Sequence, residues 1–532
     1  MRRDLPSLRR GPASGLLLAI AAIVLSAVSA RAQRPPAPRQ AAPAAAPAPS
    51  AAVSLAGLDA YLTQAIRDWE VPGLAIAIVK DDSVVYARGF GVRELGKADA
   101  VDPNTVFIAA STTKAFTATL MAMLVDSGKV RWNAPVTTYL PGFQLFDSYV
   151  TRELTVRDLL SHRSGLGRAD ALWYGSTYAR DEVLRRLRFE RPTWSLRAQY
   201  GYNNNMFIAA GQVIAAVTGR SWDDVVRERI FQPLGMTRTT TSVTALRGMD
   251  DLATPHARYD GRMTPIAWRN FDNVGSAGAI NTTVRDMAQW VRFQLARGTV
   301  GGRRLLSDSA FRQMRQPNTP IRSDAATDSL YPEVHLRSYG LGWVLSDYRG
   351  RLIVSHGGAL DGMRAHVGLL PEERLGVVLM ANSDQAGSLL AGLQYRVFDA
   401  YTGGVRRDWS TDLLAALRQG REREARDSVK QDSSRVRGTQ PSHTLAQFAG
   451  RFVDSLYGEM TVREEGGRLV LRFGDWATAD LEHWHYDTFR AVWRDREFGT
   501  DFATFVTDAD GKIATLVVKD LAEFARAEEP KH

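Results

Sequence analysis

The chain of 532 residues contains no cysteine. This absence excludes disulfide bridges, thiolate metal sites and the lipid anchor of bacterial lipoproteins, which is attached through a cysteine. Long apolar runs are also scarce, because beyond residue 32 no stretch is apolar enough to cross a membrane. No tandem repeat is present in the sequence.

The chain also lacks a basic face with interleaved aromatic residues, although its net charge is +9. Residues 1–32 hold five arginines and one aspartate, and in the rest of the chain basic and acidic residues alternate. This pattern argues against nucleic acid as a partner. With 45% hydrophobic and 23% charged residues, the composition is typical of a globular protein with a large core, and the length suggests two to four domains.

Residues 1–32 have the three parts of a secretory signal peptide. A basic start precedes the apolar stretch Leu16–Val28, and Ala30-Arg31-Ala32 would direct cleavage before Gln33. Residues 33–53, rich in Pro and Ala, predict an extended linker. We therefore expect an exported protein, periplasmic or extracellular, with no membrane span after signal removal. An uncleaved signal would instead remain as an N-terminal membrane anchor.

Residues 54–402 predict one mixed domain that begins and ends with strands and helices and has a mostly helical middle. The predicted strands are Leu74–Lys80, Ser83–Arg88, Leu352–Ser355, His366–Leu370 and Leu375–Met380. The glycine pair Gly357-Gly358 is expected to break the third strand. This layout favours the α/β (α+β) class, with an antiparallel sheet assembled from both ends of the domain, flanked by helices, beside a helical subdomain.

The character of the chain changes after this domain. Residues 403–442 are rich in Arg, Glu and Gln and predict a charged helical linker. Residues 443–525 are dominated by short alternating strands, with glycine-containing turns at Glu464–Gly467 and Asp508–Gly511. They predict a separate, small antiparallel β-barrel domain.

The central catalytic signal lies in Phe107–Val130, whose apolar residues predict a helix ended by Gly128. Ser111 and Lys114 lie three residues apart near its start and therefore share one face. A serine hydroxyl becomes a useful nucleophile when a base or a cation activates it. In the S-x-x-K motif the lysine supplies that activating group three residues after the serine. The helix start also offers free N–H groups to a developing oxyanion.

A second proton handler is expected in the polar turn Tyr202-Asn203-Asn204, just before an apolar helix. A phenol normally ionises near pH ~10. The nearby ammonium of Lys114 would favour the phenolate and make Tyr202 a base near neutral pH. The amide of Asn204 could hold Lys114 and bind a substrate carbonyl.

The third element is His356-Gly357-Gly358-Ala359, between two predicted strands. Glycine at such a place lets a substrate backbone approach closely. The N–H groups of Ala359 and Ser111 could together form an oxyanion hole.

The order S-x-x-K, Y-x-N, H-x-G resembles the serine β-lactamase and penicillin-binding protein superfamily. The likeness is to its class C β-lactamases, D-alanyl-D-alanine carboxypeptidases, D-aminopeptidases and related esterases, and it covers about residues 54–402. Supporting segments are LLSHRSGL at 159–166, FQPLGM at 231–236, SAGAINTTVRD at 276–286 and YGLGW at 339–343. From GTQPSHTLAQFAGRF at 438–452 onward, the tail resembles the lipocalin-like β-barrel appended to many members.

The resemblance implies a role for each motif residue. Ser111 would be the acylated nucleophile, Lys114 its activator and Tyr202 the general base for acylation. Asn204 would orient Lys114 and the substrate. No metal or organic cofactor is implied.

The third motif carries substrate-binding roles in this resemblance. The N–H groups of Ala359 and Ser111 would hold the oxyanion together. Gly358 would let the substrate backbone approach the strand closely. His356 takes the position of a lysine that reads the β-lactam carboxylate in most β-lactamases, which argues against a dedicated β-lactamase.

Five other residues have open or structural interpretations. Trp173 and Tyr174 either line a substrate cleft or anchor a surface loop. His162 is expected to be structural. His483 and His485 share one face of a predicted barrel strand, and packing is favoured over a metal site, which would need a third ligand nearby.

The favoured function is an exported serine hydrolase that forms an acyl-enzyme on a small amide, peptide or ester, as a D-amino-acid peptidase, carboxypeptidase or esterase does. One alternative is a penicillin-binding sensor or ligand-capture module that acylates without useful turnover. Another is a weak class C-like β-lactamase.

Overall fold

The computed structural model describes residues 55–405 and 407–528. The signal peptide and the linker, residues 1–53, lie outside the described residues, and both stay predictions. Within the two described ranges, no helix is both long enough and apolar enough to cross a membrane.

Helices occupy most of the middle of the larger domain. The described helices are α1 (Leu58–Asp68), α2 (Thr113–Asp126), α3 (Ser148–Glu153), α4 (Val156–Leu159), α5 (Arg180–Arg186), α6 (Asn204–Thr218), α7 (Trp222–Val226), α8 (Gln232–Leu234), α9 (Gly275–Gly278), α10 (Val284–Leu295), α11 (Asp308–Met314), α12 (Ala325–Leu330), α13 (Gly387–Tyr401), α14 (Trp409–Ser433) and α15 (Leu445–Phe448). A 3₁₀ turn, Ala110–Thr112, leads directly into α2.

Strands form a large sheet, three small two-stranded pieces and a barrel. Those of the larger domain are β1 (Gly73–Lys80), β2 (Ser83–Gly91), β3 (Phe107–Ile108), β4 (His256–Tyr259), β5 (Arg262–Pro265), β6 (Asn281–Thr282), β7 (Thr299–Val300), β8 (Arg303–Arg304), β9 (Thr319–Pro320), β10 (Arg337–Tyr339), β11 (Val344–Tyr348), β12 (Arg351–Leu360), β13 (Met363–Leu370) and β14 (Leu375–Ala381). Those of the barrel are β15 (Gly450–Asp454), β16 (Gly458–Glu465), β17 (Arg468–Phe473), β18 (Ala477–His485), β19 (Thr488–Trp493), β20 (Thr500–Thr507), β21 (Ile513–Val518) and β22 (Ala522–Arg526).

The large antiparallel sheet joins the two ends of the domain, in the order β2-β1-β14-β13-β12-β11-β10-β9. Strand β1 pairs with β14 from Leu74↔Ala381 to Lys80↔Leu375. The predicted sheet from both chain ends is therefore confirmed. Strands β9 to β11 extend it further than the sequence indicated, because β9 and β10 are too short to carry an alternating pattern.

The predicted break at Gly357-Gly358 is wrong. Strand β12 continues through both glycines, which pair with His366 and Ala365 of β13. A complete ladder on that side keeps the glycines extended. On the other side, the pairing of β11 with β12 ends at Ser355.

The sheet is buried on both faces, as the nearly continuous apolar sequence of β1 requires. Alternate residues of β1 pack into two cores, with Ala75, Ala77 and Val79 on one face and Leu74, Ile76 and Ile78 on the other. Helix α2 lies in the first core, and its residues from Thr113 to Leu124 are buried. A helix buried all round can place a polar side chain far from water.

The segment after the first domain begins as part of its core. Trp409, at the start of α14, is buried, stacks on Tyr395 and donates its indole N–H to Asp399 at 2.9 Å. Later turns of α14 are largely exposed. The helix is therefore charged and solvated only beyond its first turns.

The remaining strands form a closed antiparallel barrel of eight strands, β15 to β22. The predicted hairpin turns are confirmed at Gly466-Gly467 between β16 and β17 and at Asp508–Gly511 between β20 and β21. Phe448 of α15 packs against barrel rings, including Phe505 at 4.8 Å between centroids.

Candidate active site

Ser111 lies in the 3₁₀ turn immediately before α2. The preceding Ala110 has φ +48°, a left-handed conformation that residues with a Cβ rarely adopt. Such backbone strain persists only where the surrounding structure imposes it, and it is frequent at functional sites. Here it turns the chain so that Ser111 faces the cavity described below.

Lys114 is fully buried beneath Ser111. Its Nζ lies 3.1 Å from Ser111 Oγ, 2.7 Å from Asn204 Oδ1 and 2.9 Å from the carbonyl oxygen of Ala277. Burial lowers the pKa of Lys114 well below its ordinary value, because the charged form loses its hydration. A neutral amine is thus accessible at a lower pH than for an exposed lysine.

The Tyr202 hydroxyl donates a hydrogen bond to Ser111 Oγ at 2.8 Å. Burial raises the pKa of Tyr202, and the hydrogen bond with Ser111 only partly opposes this effect. The expectation that Lys114 makes a phenolate near neutral pH is therefore wrong. Lys114 is itself desolvated, so the group with the lowered pKa is the amine and not the phenol.

Asn204, the first residue of α6, links the lysine to a residue that the sequence analysis missed. Its Nδ2 donates to Asp170 Oδ1 at 3.1 Å, and the indole N–H of Trp173 donates to the same oxygen at 2.8 Å. Asp170 therefore fixes which end of the Asn204 amide faces Lys114. No local motif marks Asp170, since the contact that ties it to the site is with Asn204, 34 residues further along the chain.

His356 is buried and uses both ring nitrogens. Nδ1 lies 2.6 Å from the carbonyl oxygen of Gly357, which can only accept, so Nδ1 carries the proton. Nε2 then accepts from the Tyr339 hydroxyl at 2.8 Å. Burial lowers the pKa of His356 to about 3, so the ring is neutral at physiological pH.

His162 holds the chain on both sides of Tyr202. Its carbonyl accepts from the Gly201 N–H at 2.9 Å, and its Nδ1 accepts from the Asn203 N–H at 3.1 Å. Its ring centroid lies 4.2 Å from that of Tyr202, and its φ is +55°. Burial lowers the pKa of His162 well below its ordinary value, which keeps Nδ1 free to accept.

A catalytic cavity of about 430 Å³ gathers the predicted site residues. Those that line it are Ser111, Tyr202, Asn204, His356, Gly358 and Ala359, and Lys114 lies beneath. Trp173 lines the same cavity, which supports its interpretation as a cleft residue.

Gly358 is the point of closest approach between β12 and the nucleophile turn. A Cβ at this position would collide with the carbonyl oxygen of Ala109 and lie 3.2 Å from the Ser111 nitrogen. A Cβ at Gly357 would meet nothing nearer than His366 Nδ1 at 3.7 Å. Of these two adjacent glycines, only Gly358 lies where the surroundings leave no room for a Cβ atom.

The barrel histidines make ordinary hydrogen bonds. His483 Nε2 lies 2.9 Å from the carbonyl oxygen of Tyr486, and the Val436 N–H donates to His485 Nδ1 at 3.3 Å. In the part of the chain that the structure describes, no group of three or more His, Cys, Asp or Glu side chains is arranged to hold a metal ion.

Comparisons with known proteins agree with this architecture. Residues 58–402 match the family model described as Beta-lactamase, and residues 434–531 match a domain of unknown function, DUF3471. Unguisins hydrolase ungD of Aspergillus violaceofuscus is 32% identical over 382 residues, which cover 66% of this chain and 67% of that protein. Penicillin-binding protein 4 of Amycolatopsis lactamdurans is 29% identical, over 63% of this chain and 87% of that protein.

A solved structure has a similar fold over most of the chain. The octameric penicillin-binding protein homologue from Pyrococcus abyssi aligns with a TM-score of 0.58 at 20% sequence identity. The alignment covers 88% of this chain and 99% of that chain. At this identity the likeness establishes the fold alone.

Replacing Gly358 tests the close approach of β12 to Ser111. Gly358→Ala is expected to reduce acylation of Ser111 about 100-fold, because β12 or the nucleophile turn must shift by a fraction of an ångström or more. Gly357→Ala is the matched control and should retain most activity. Rates of labelling by a fluorophosphonate probe check both, and equal rates for the two variants would contradict the steric argument.

Replacing His162 tests whether it positions Tyr202. His162→Asn keeps an acceptor where Nδ1 lies and tolerates the left-handed backbone, whereas His162→Ala removes the acceptor. We expect the alanine variant to lose about tenfold or more in acylation rate with KM little changed, and the asparagine variant to recover most of it. If both variants acylate as fast as the unmodified protein, His162 serves packing alone.

Proposed function

The chain belongs to the beta-lactamase family, and from this membership and the geometry around Ser111 we propose that it is a serine hydrolase that works through an acyl-enzyme. The observation that carries the proposal is the flanking of Ser111 Oγ by an amine at 3.1 Å and a phenol at 2.8 Å. These distances are within reach for proton transfer to and from a nucleophile.

A neutral Lys114 would satisfy every polar atom of this cluster. Its two N–H bonds reach Asn204 Oδ1 and the Ala277 carbonyl, and its lone pair can accept the Ser111 hydroxyl proton. The Tyr202 hydroxyl then donates to Ser111 Oγ. This arrangement agrees with the pKa directions, lowered for Lys114 and raised for Tyr202.

Acylation then balances without an outside base. Ser111 Oγ attacks the substrate carbonyl carbon while its proton passes to Lys114. As the bond to the leaving group breaks, Tyr202 gives that group a proton. The phenolate so formed lies beside the new ammonium, whose Nζ is 4.8 Å from the Tyr202 ring centroid.

Deacylation restores every group. The Tyr202 phenolate takes a proton from water, and the hydroxide attacks the ester carbonyl. Ser111 leaves and recovers its proton from Lys114. The N–H groups of Ser111 and Ala359 are proposed to hold the oxyanion in both steps, because both residues line the catalytic cavity.

The proposed substrate is a small amide, peptide or ester. One relative is named as a hydrolase of unguisins and another as a penicillin-binding protein, and both names support a hydrolase that acts on small molecules. A neutral His356 with both nitrogens engaged offers no positive charge to a β-lactam carboxylate. We therefore favour a peptidase or esterase over a dedicated β-lactamase.

Ser111→Ala tests the nucleophile. The unmodified protein should gain one fluorophosphonate adduct by intact mass and hydrolyse p-nitrophenyl acetate. Ser111→Ala should do neither, because Oγ is the atom that is acylated, while its thermal unfolding stays unchanged. Ser127→Ala, at the other end of the same helix, is the matched control. Full labelling of Ser111→Ala would place the nucleophile elsewhere, and a stable penicillin adduct without turnover would favour a sensor.

The pH dependence of labelling tests which group is the base. The rate should rise with pH as Lys114 loses its proton, with a midpoint well below the ordinary lysine pKa of ~10.4. It should fall only above pH ~10, since the pKa of Tyr202 is raised. Tyr202→Phe should slow hydrolysis of an anilide 10²- to 10⁴-fold, while its rate should still rise with pH in the acidic part of the profile. If the rate of Tyr202→Phe no longer rises with pH, the base role belongs to Tyr202.

A further inference from the structure

A second, larger chamber of about 580 Å³ adjoins the catalytic cavity and shares part of its lining. The residues that line both are Arg168, Trp173, Ala359, Leu360 and Arg364. These shared residues form the rim between the two spaces, so the second chamber lies next to the position of a ligand acylated at Ser111.

Strand β12 leads from the nucleophile to this chamber. Its residues from His356 onward lie beyond the end of the pairing with β11, so the described strands leave that edge free. Gly357 and Gly358 line the catalytic cavity, and Ala359 and Leu360 line both spaces. An extended peptide placed along this edge would advance ~3.3 Å per residue toward the chamber.

The far wall of the chamber comes from the carboxy-terminal barrel. Its apolar lining residues on the barrel are Phe473, Trp476, Ala477, Trp493, Phe498 and Leu521. Trp476 and Phe498 are only partly buried. Aromatic side chains that remain accessible inside a concave space are the usual lining of sites for bulky apolar groups.

Named contacts hold this wall in place. Arg269 donates to Asp361, at the turn after β12, and to Asp495 of the barrel at 2.7 Å. The Tyr178 hydroxyl donates to the Tyr457 carbonyl at 3.0 Å.

Aromatic contacts reinforce the same junction. Tyr174 packs edge-on against Phe498 at 5.5 Å between ring centroids and donates its hydroxyl to Asp361 at 2.7 Å. The chamber is thus preorganised by side chains from both domains, which favours binding because little order is lost there.

We propose that this barrel-walled chamber is a specificity subsite for a bulky aromatic or aliphatic side chain of a peptide-like substrate, next to the residue acylated by Ser111. The proposal rests on the proposed function. A small ester fills only the catalytic cavity, whereas a longer peptide ester reaches the aromatic wall. The domain of unknown function would then select substrates without contributing to the bond-breaking step.

The experiment compares two kinds of ester on the full chain. One is p-nitrophenyl acetate, and the others are p-nitrophenyl esters of N-acetyl dipeptides that carry phenylalanine or alanine away from the ester, in both D and L forms. The unmodified protein should prefer the phenylalanine esters in kcat/KM. Trp476→Ala should lose about tenfold or more of that preference, with acetate hydrolysis unchanged.

Trp484→Ala is the matched control, because this barrel tryptophan packs on Phe502 instead of facing the chamber. Phe498→Leu provides a second, milder change of the wall if Trp476→Ala unfolds the barrel, and it should reduce the preference in the same direction. The subsite proposal is overturned if the unmodified protein hydrolyses acetate but shows no preference for the phenylalanine esters, or if the folded wall variants keep that preference in full. If the unmodified protein is neither labelled by the fluorophosphonate nor able to hydrolyse acetate, the proposed function is overturned as well.

Discussion

The burial of the Lys114 amine against three oxygen atoms is the interaction on which the site depends. Moving an ionised amine out of water costs several kcal/mol, so it must find partners or lose its charge. Its partners come from the nucleophile turn, from α6 and from α9. The same segments are tied together by Thr117, which donates to the Ser276 carbonyl at 2.6 Å, and by Ser276, which donates to the Phe207 carbonyl at 2.8 Å. The hydrogen bonds that join α2, α6 and α9 thus also hold the partners of Lys114 in place.

Because of this burial, the titratable groups around Ser111 favour their neutral forms in the resting state. His356 and His162 are held neutral, and the pKa of Tyr202 is raised. Arg168, at the rim between the two cavities, forms an ion pair with Asp170 at 2.6 Å. In the proposed mechanism Lys114 and Tyr202 become charged only as acylation proceeds, among dipoles that are already oriented. Preorganisation of this kind is a large source of transition-state stabilisation in enzymes.

The barrel contributes shape more than chemistry. Its contacts with the larger domain fall on two segments, Tyr174–Arg186 and Tyr259–Arg269. Arg269 joins Asp361 to Asp495 and also lies 5.2 Å from the ring centroids of Tyr174 and Phe498. One arginine thus couples the position of the barrel to the rim of the catalytic cavity.

Much of the local structure could be predicted from the sequence, because it depends on neighbours along the chain. The three-residue spacing of Ser111 and Lys114 places them on one face of a helix, and alternation in β1 places its side chains in two cores. The tertiary structure decided the rest. Asp170 reaches the site from a segment that no motif marks. Ala277 and Tyr339 lie in segments that support the family resemblance, but only the fold shows that they contact Lys114 and His356. The path of β12 through Gly357 and Gly358 depends on its partner β13, and the wall of the second chamber depends on how the barrel packs. The pKa of Tyr202 was mispredicted for the same reason: proximity to Lys114 can be inferred from sequence, but the desolvation that raises the pKa of the phenol and lowers that of the amine exists only in the packed fold.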